Sequence, residues 1–490
     1  MPMDAAELRR IAALEMQARS LLPVFAPEVL REAEAQPAQA APEQAADIRD
    51  QRSRLWFSID NDDTRDLDQL SWAEALPNGG VRLAVAIADV DARVQQGGAV
   101  DAHAAVNTTS VYTAAGVFPM LPTVLSNGLT SLHEGEERLA VVVEMQIGRE
   151  GEVTDSQIYR AMVRNQAKLA YDSVAAWLDD PHASAPAAVA ASAALQAQLR
   201  LHDQVAGSLR QWRHRRGALN VMTAQARPVF ADGQLVDLRA DHKNRAKELI
   251  ADLMIAANGA TARFLSQQGQ PSLRRVLQEP QRWDRLVKLA AMHGASLPPA
   301  PDALALDRFL TDRREAEPAN FEDLSLSVVK LLGSGAYAAV SADAPPAGHF
   351  GLAVNDYAHS TAPNRRYVDL VTQRLLKATL AARASPYSID QLAAIAEHCT
   401  TQEDNASTVE RRVLKAAAAF LLQDRIGEPF DAIVTGVTPK GTFVRITSPL
   451  VEGRVVSRFE GLDVGDTVKV TLKSVDIDQR FIDFVAVNTP

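Results

Sequence analysis

Hydrophobic and polar positions change period several times along the chain, and each change marks an element. Between Ala5 and Leu22, the apolar residues Leu8, Ile11, Leu14 and Met16 recur at helical spacing among charged neighbours, which predicts an amphipathic helix. Ala33 to Ala46 is rich in alanine, glutamine and proline without periodicity, as in a polar linker. Leu55–Asp60 and Arg82–Val90 are short apolar runs that read as buried strands, with a turn signal at Pro77–Gly80 between them, and Leu139–Ile147 reads as another strand. Helical spacing returns over residues 172–206, broken at Asp179–Pro186, and again over Lys243–Leu265, Tyr367–Ala382 and Ser388–Ile426. The last stretch alternates in twos: Phe430–Val437, Gly441–Ile446, Asp466–Val475 and Arg480–Val487 are separated by turn residues, the pattern of a small β-barrel. These periods predict an α+β protein in three parts. They are an N-terminal helical arm and linker over residues 1–50, a large domain of mixed sheet and surrounding helices over 51–427, and a barrel over 428–490.

Composition narrows this picture little, but charge sharpens it. The 490 residues suit about three domains of roughly 150 residues, and 47% hydrophobic with 23% charged residues is an ordinary globular balance. A net charge of −10 argues against a polycation that coats nucleic acid without regard to sequence. The average conceals basic segments, however. Residues 201–250 hold nine Lys and Arg against five Asp and Glu, and residues 359–378 hold four against one. The single cysteine, Cys399, excludes an internal disulfide and a thiolate zinc cluster. No run approaches the ~18 apolar residues of a membrane span, and the first residues lack the basic and apolar segments of a secretory leader. A cytoplasmic protein without a membrane partner is expected.

Asp60, Asp62, Asp63, Asp66 and Asp68 crowd the segment directly after the first apolar strand. Acidic runs are usually solvated loops, but this one is delivered from the interior by a strand, and strand ends are where sheets place active sites. Asp66 and Asp68 project to one side if extended, and carboxylates that face one another repel unless a hard cation lies between them. An EF-hand is excluded, because its sixth and twelfth positions are Arg65 and Ser71 instead of glycine and glutamate. A catalytic Mg²⁺ site for phosphodiester hydrolysis remains. A second constellation, Tyr357 to Leu370, sets Pro363 before Arg365 and Arg366 at a helix start, where forked donors suit phosphate. Gly333–Ala338 mimics a dinucleotide loop but lacks the strand–loop–helix context. Tyr112 and Tyr171 are aromatics able to stack on bases, with core packing as the alternative.

In order, these segments resemble the ribonuclease II / ribonuclease R (RNB) family of 3′→5′ exoribonucleases. The matching stretches include Ile59–Asp68, Ala86–Val90, Phe118–Leu132, Arg215–Leu219, Met254–Asn258, Gly348–Leu352 and Tyr357–Tyr367. The C-terminal barrel looks like the S1-type RNA-binding domain of these enzymes, an OB-fold variant. The resemblance implies an RNB catalytic domain that processively threads single-stranded RNA through a narrow channel and releases nucleoside 5′-monophosphates with Mg²⁺, or Mn²⁺ in its place; RNA with a 3′ overhang is a further expected substrate. By motif, Asp60, Asp66 and Asp68 match metal-binding carboxylates, with Asp68 the one most critical for cleavage. Arg365 matches the arginine at the scissile phosphate, joined by Arg366, and Glu410 a glutamate near the leaving nucleotide. Tyr112 matches a tyrosine stacked on the 3′-terminal base and Tyr171 one lining the channel. A monomer is expected, with protein partners left open.

Three positions depart from the family pattern. Gln69 replaces a further aspartate ligand, which lowers the charge offered to a metal; Val221 stands where a base-stacking phenylalanine is usual; Ala251 replaces a glutamate. No counterpart of the family's usual two N-terminal cold-shock barrels is expected from residues 1–50, and the N-terminal helix is a candidate guiding or partner-binding element in their place. The alternative reading is a catalytically silent RNA-binding protein on the same fold.

Overall fold

The computed structural model describes residues 4–36, 47–180, 182–223, 225–277, 280, 282–318, 320–343, 348–439, 441–477 and 479–487. Most of the expected linker, from residue 37 to 46, lies outside the described residues.

Two helices open the chain, α1 (Ala5–Gln17) and α2 (Pro27–Glu34). The Asp4 side chain caps α1 by accepting from the Glu7 N–H at 2.8 Å. Pro27 starts α2, where its missing N–H costs nothing. The helix expected to reach Leu22 stops at Gln17, because Ser20 turns the chain with φ 58°.

The catalytic-domain sheet is built from β1 (Arg49–Asp50), β2 (Trp56–Asp60), β3 (Gln69–Ala75) and β4 (Val81–Ala88). Helix α3 (Ala99–Asn107) and a small hairpin, β5 (Val111–Thr113) with β6 (Gly116–Phe118), intervene before β7 (Glu137–Ile147) and β8 (Val153–Ala170). The strand order is β1-β8-β2-β3-β4-β7. Strand β8 was not legible in the sequence, because Arg160, Arg164 and Lys168 interrupt its apolar positions. It is the strand that shapes the domain. Its first part pairs antiparallel with β7 and its last part parallel with β2, so the sheet curls until both ends share one strand. The same pairing sets Asp60 opposite Ala170 and so beside Tyr171.

Helices α4 (Tyr171–Asp179), α5 (Ala187–Ala190) and α6 (Ala193–His214) follow, then the hairpin β9 (Gln225–Ala231) and β10 (Gln234–Asp241). Helix α7 (Arg245–Gln267) lies on the sheet and buries Leu249, Leu253 and Ala257 in the main core with Trp56, Phe57 and Leu83. Strand β11 (Ser272–Val276) pairs with β12 (Ala336–Val340) across α8 (Trp283–Met292), α9 (Ala303–Ala316) and α10 (Phe321–Leu332). Gly333 ends α10 with φ 91° and leads into β12, so the segment that mimics a dinucleotide loop is a helix stop. Helices α11 (Tyr367–Leu380) and α12 (Ile389–Leu422) complete the domain, the latter opened by a capping box between Ser388 and Gln391.

The last five strands, β13 (Pro429–Thr438), β14 (Gly441–Thr447), β15 (Leu450–Ser457), β16 (Thr467–Asp476) and β17 (Phe481–Ala486), close into a barrel in the order β13-β14-β15-β17-β16. This is the arrangement of an S1-type OB fold. Four of the five strands were expected; β15 was not, since Gly453 weakens its strand signal. The glycine is required there, because a Cβ would collide with the Phe484 ring inside the barrel.

Candidate active site

The loop between β2 and β3 carries the acidic cluster, and the fold divides it. Asp62 and Asp63 point to solvent, whereas Asp60, Asp66, Asp68 and Gln69 line a cavity of about 620 Å³ together with Tyr112, Tyr171, Arg365 and Arg366. Leu67, between the two inward aspartates, is buried in the core on the opposite side, which is the alternation an extended segment imposes. Lys168 fixes the loop from β8, donating through Nζ to the Asp62 and Thr64 carbonyls at 2.9 and 2.8 Å. The Ser131 hydroxyl bridges the Leu67 N–H and the Arg65 carbonyl. Sequence reasoning gave neither residue a role, although Ser131 lies within the matched stretch Phe118–Leu132, and only the fold brings them to the loop.

Asp68 is 3% exposed. Its Oδ1 accepts the Asn364 N–H at 3.1 Å, and its Oδ2 lies 3.7 Å from Arg365 Nε. Burial pushes its carboxyl up to about 7, against the opposing pull of Arg365 and the Asn364 N–H. Burial also raises Asp60 and Asp66, and Asp60 adds repulsion to Asp66. Thr64 Oγ1 and the Asn61 N–H hold Asp60 Oδ1 at 2.9 and 2.7 Å. The Arg365 side chain is 43% exposed, so the positive group nearest Asp68 also faces solvent. Three partly or wholly buried carboxylates around one shared guanidinium remain short of positive charge.

Arg366 meets the same cavity, but its fork is engaged: Nε and Nη2 bond the two oxygens of Asp369 at 2.8 and 2.7 Å. The pair of arginines is therefore asymmetric, with Arg365 open and Arg366 anchored. Glu410, on α12, is not among the cavity-lining residues; it stands behind Tyr112 and accepts the Tyr112 N–H at 2.9 Å. Burial pushes Glu410 up to about 7. The Tyr112 side chain is free to stack, at 44% exposure, while Val111 before it is wholly buried.

The cavity does not end at the acidic loop. Lys247, Ala251, Ile255 and Leu352 line both it and an adjoining cavity of about 380 Å³, to which Val221 also contributes. The two small residues that depart from the family pattern thus border one continuous space.

The donor set for a metal is all oxygen, three carboxylates and an amide, which suits Mg²⁺ or Mn²⁺. Among the described residues, no three His, Cys, Asp or Glu side chains close into a preformed metal cage. That fits a hard cation that takes one or two carboxylates and completes its sphere with water and substrate phosphate.

A carboxylate-lined cavity in a curled mixed sheet, followed by a closed five-strand barrel, defines a two-part module of catalytic-type domain and OB-type barrel. The RNB domain matches residues 47–382, and the RNase II-type exonuclease C-terminal S1 domain matches residues 428–487. The chain belongs to the RNB family. It is 32% identical to ribonuclease R of Thermotoga maritima over 447 residues, covering 88% of this chain and 61% of the relative. It is 30% identical to ribonuclease R of Escherichia coli over 522 residues, covering 96% and 61%. The chain thus spans about three-fifths of the length of these relatives. The fold matches Mycoplasma genitalium RNase R, solved in complex with ribose methylated single-stranded RNA, with a TM-score of 0.86 at 22% identity, over 99% of this chain and 78% of that one. Among the described residues, no helix is long and apolar enough to cross a membrane.

Proposed function

We propose that this chain is a 3′→5′ exoribonuclease that hydrolyses single-stranded RNA, including 3′ overhangs, to nucleoside 5′-monophosphates with Mg²⁺ or Mn²⁺. The observation that carries the reading is the meeting of Asp60, Asp66, Asp68 and Gln69 with the open Arg365 and two tyrosines in one cavity. Family membership and the ribonuclease R relatives support the same substrate class.

In this reading Tyr112 stacks on the 3′-terminal base, which fixes the last phosphate at the acidic loop. Arg365 donates to the non-bridging oxygens of that phosphate and offsets the charge that grows there. Asp60, Asp66, Asp68 and Gln69 would hold the cation, which when bound lowers the pKa of the attacking water and stabilises the leaving oxygen. The Asn364 N–H keeps Asp68 oriented. Glu410 holds Tyr112 in place by accepting its backbone N–H.

Labelled single-stranded and 3′-overhang RNA, incubated with and without chelator, tests the proposal. The expected result is release of mononucleotides that stops with chelator and with Asp68→Asn. RNA binding without turnover at any Mg²⁺ or Mn²⁺ concentration would establish the silent alternative instead.

A further inference from the structure

Sequence texture sets the N-terminal residues apart from the rest of the chain, but α1 is built into the molecule. Leu8, Ile11, Ala12 and Met16 share one apolar cluster with Val409 and Val413 of α12, with Val111, Ala114 and Phe118 of the β5–β6 hairpin, and with the barrel residues Phe430 and Phe484. Arg9 stacks its guanidinium on the Phe118 ring at 4.3 Å. Helix α1 thus packs on α12, which backs the hairpin that presents Tyr112, and touches the hairpin itself through Arg9.

At the centre of this contact is a buried charge. Glu15, 4% exposed, pairs with Arg19 of its own segment at 2.5 Å, with Arg412 of α12 at 2.8 Å, and with Arg480 of the β16–β17 turn. Arg412 lies two residues beyond Glu410, on the same helix. Arg480 occupies the left-handed region, φ 58°, where glycine or asparagine would be the ordinary choice. Arg480 holds this strained conformation while its side chain reaches Glu15. Removing the charge of a carboxylate held by arginines from three segments leaves those arginines undercompensated at a buried contact.

We propose that Glu15 is a positioning residue, which joins α1, α12 and the barrel so that Tyr112 and Glu410 are held at the height where the 3′ end of RNA is received. This rests on the exoribonuclease reading above. Glu15 touches no substrate; it acts through the hairpin and α12. In this chain the N-terminal helix is thus part of the substrate-receiving machinery, not a free arm.

The test uses the full chain and RNA carrying 2-aminopurine as its 3′-terminal base, whose fluorescence falls when it stacks. Binding is read in chelator, so the result does not depend on turnover. Wild-type hydrolysis in Mg²⁺, measured separately, tests the reading on which the proposal rests. Glu15→Gln and Arg480→Gln should each lose most of the quenching and raise KM about tenfold with kcat changed less, because a lost base-stacking contact weakens ground-state and transition-state binding alike. Leu310→Ala, in the separate cluster of α8, α9 and α10, provides a chain of reduced stability with α1 untouched. It should keep wild-type quenching and KM. Should Glu15→Gln not fold, Arg480→Gln in the turn carries the test alone. Wild-type quenching in Arg480→Gln, or an equal loss in Leu310→Ala at matched Tm, would overturn the proposal.

Discussion

Two groups of aspartates lie at strand ends of the same sheet, and they are treated in opposite ways. Asp89 and Asp91 follow β4, and Asp101 joins them from α3. Lys377 sits 2.9 Å from Asp89 and 2.8 Å from Asp91, Arg374 sits 2.9 Å from Asp91 and 2.8 Å from Asp101, and Arg160 adds a contact to Asp89 at 3.2 Å. Burial alone would lower Lys377, but Asp89 and Asp91 hold it above its usual range. Every charge in that group has an opposite within reach, so it binds helix α11 to the sheet and has no valence left. Asp60, Asp66 and Asp68 have one partly exposed arginine among them, and their carboxyls are pushed upward. Identical side chains become cement where cations match them and a receptive site where they do not.

The largest expected effect comes from removing charge at the unmatched group. Asp68→Asn should cut hydrolysis by on the order of a thousandfold while RNA affinity, read by filter binding, stays near wild type. An active Asp68→Asn enzyme would mean that the deficit of positive charge is not where the chemistry occurs. The reverse experiment is Asp89→Asn, which leaves Lys377 and Arg160 undercompensated in the interior. It should lower unfolding free energy by about 3 kcal/mol in urea titrations, with turnover largely kept at temperatures where the protein stays folded. Loss of activity without loss of stability would erase the distinction between the two groups.

Gln69→Asp sharpens the contrast from the other side, because it adds a charge to the group already in excess. Half-maximal activity should then need about fivefold less Mg²⁺, roughly 1 kcal/mol of added electrostatic attraction, while unfolding without metal becomes easier. The smallest effect is a pH dependence at Glu410. Its folded pKa of about 7 lies above the ordinary glutamate value of 4.5, so the stability it contributes is full below 4.5 and is lost as pH rises through 7. Glu410→Gln should therefore match wild type in stability near pH 4 and exceed it by about 1 kcal/mol at pH 8, measured by denaturant unfolding across pH. This is a fraction of the roughly 3.4 kcal/mol that the full shift would carry, because the partly exposed carboxylate is screened by solvent. An equal difference at both ends would show that Glu410 is not buried as a charge.

The parts of the site that were legible in the sequence are those whose chemistry is packed into consecutive residues. Asp60, Asp66, Asp68 and Gln69 sit on one loop after one apolar strand, and Arg365 and Arg366 share one helix start. What separates the two arginines was not legible, since it depends on Asp369 one helical turn later closing on Arg366 and leaving Arg365 open. The support of Tyr112 by Glu410 spans nearly three hundred residues, and no local pattern encodes such a contact. In the fold, strands with unbroken apolar runs were readable. Strand β8 was not, because Arg160, Arg164 and Lys168 interrupt its apolar positions.

Sequence by itself determined which side chains and strands are available: an oxygen-only acidic loop, an arginine-bearing helix start, a sheet of apolar strands, and an alternating barrel at the end. Periodicity and short motifs are local, and local geometry is enough to read them. Tertiary structure alone decided which charges are cancelled and which are left over, because cancellation requires partners brought together from distant segments in a medium of low dielectric. It decided that Asp89 would be matched and Asp68 would not. It also decided that the N-terminal helix, which looks detachable in the sequence, would lie behind Tyr112 with Glu15 buried against the barrel and α12.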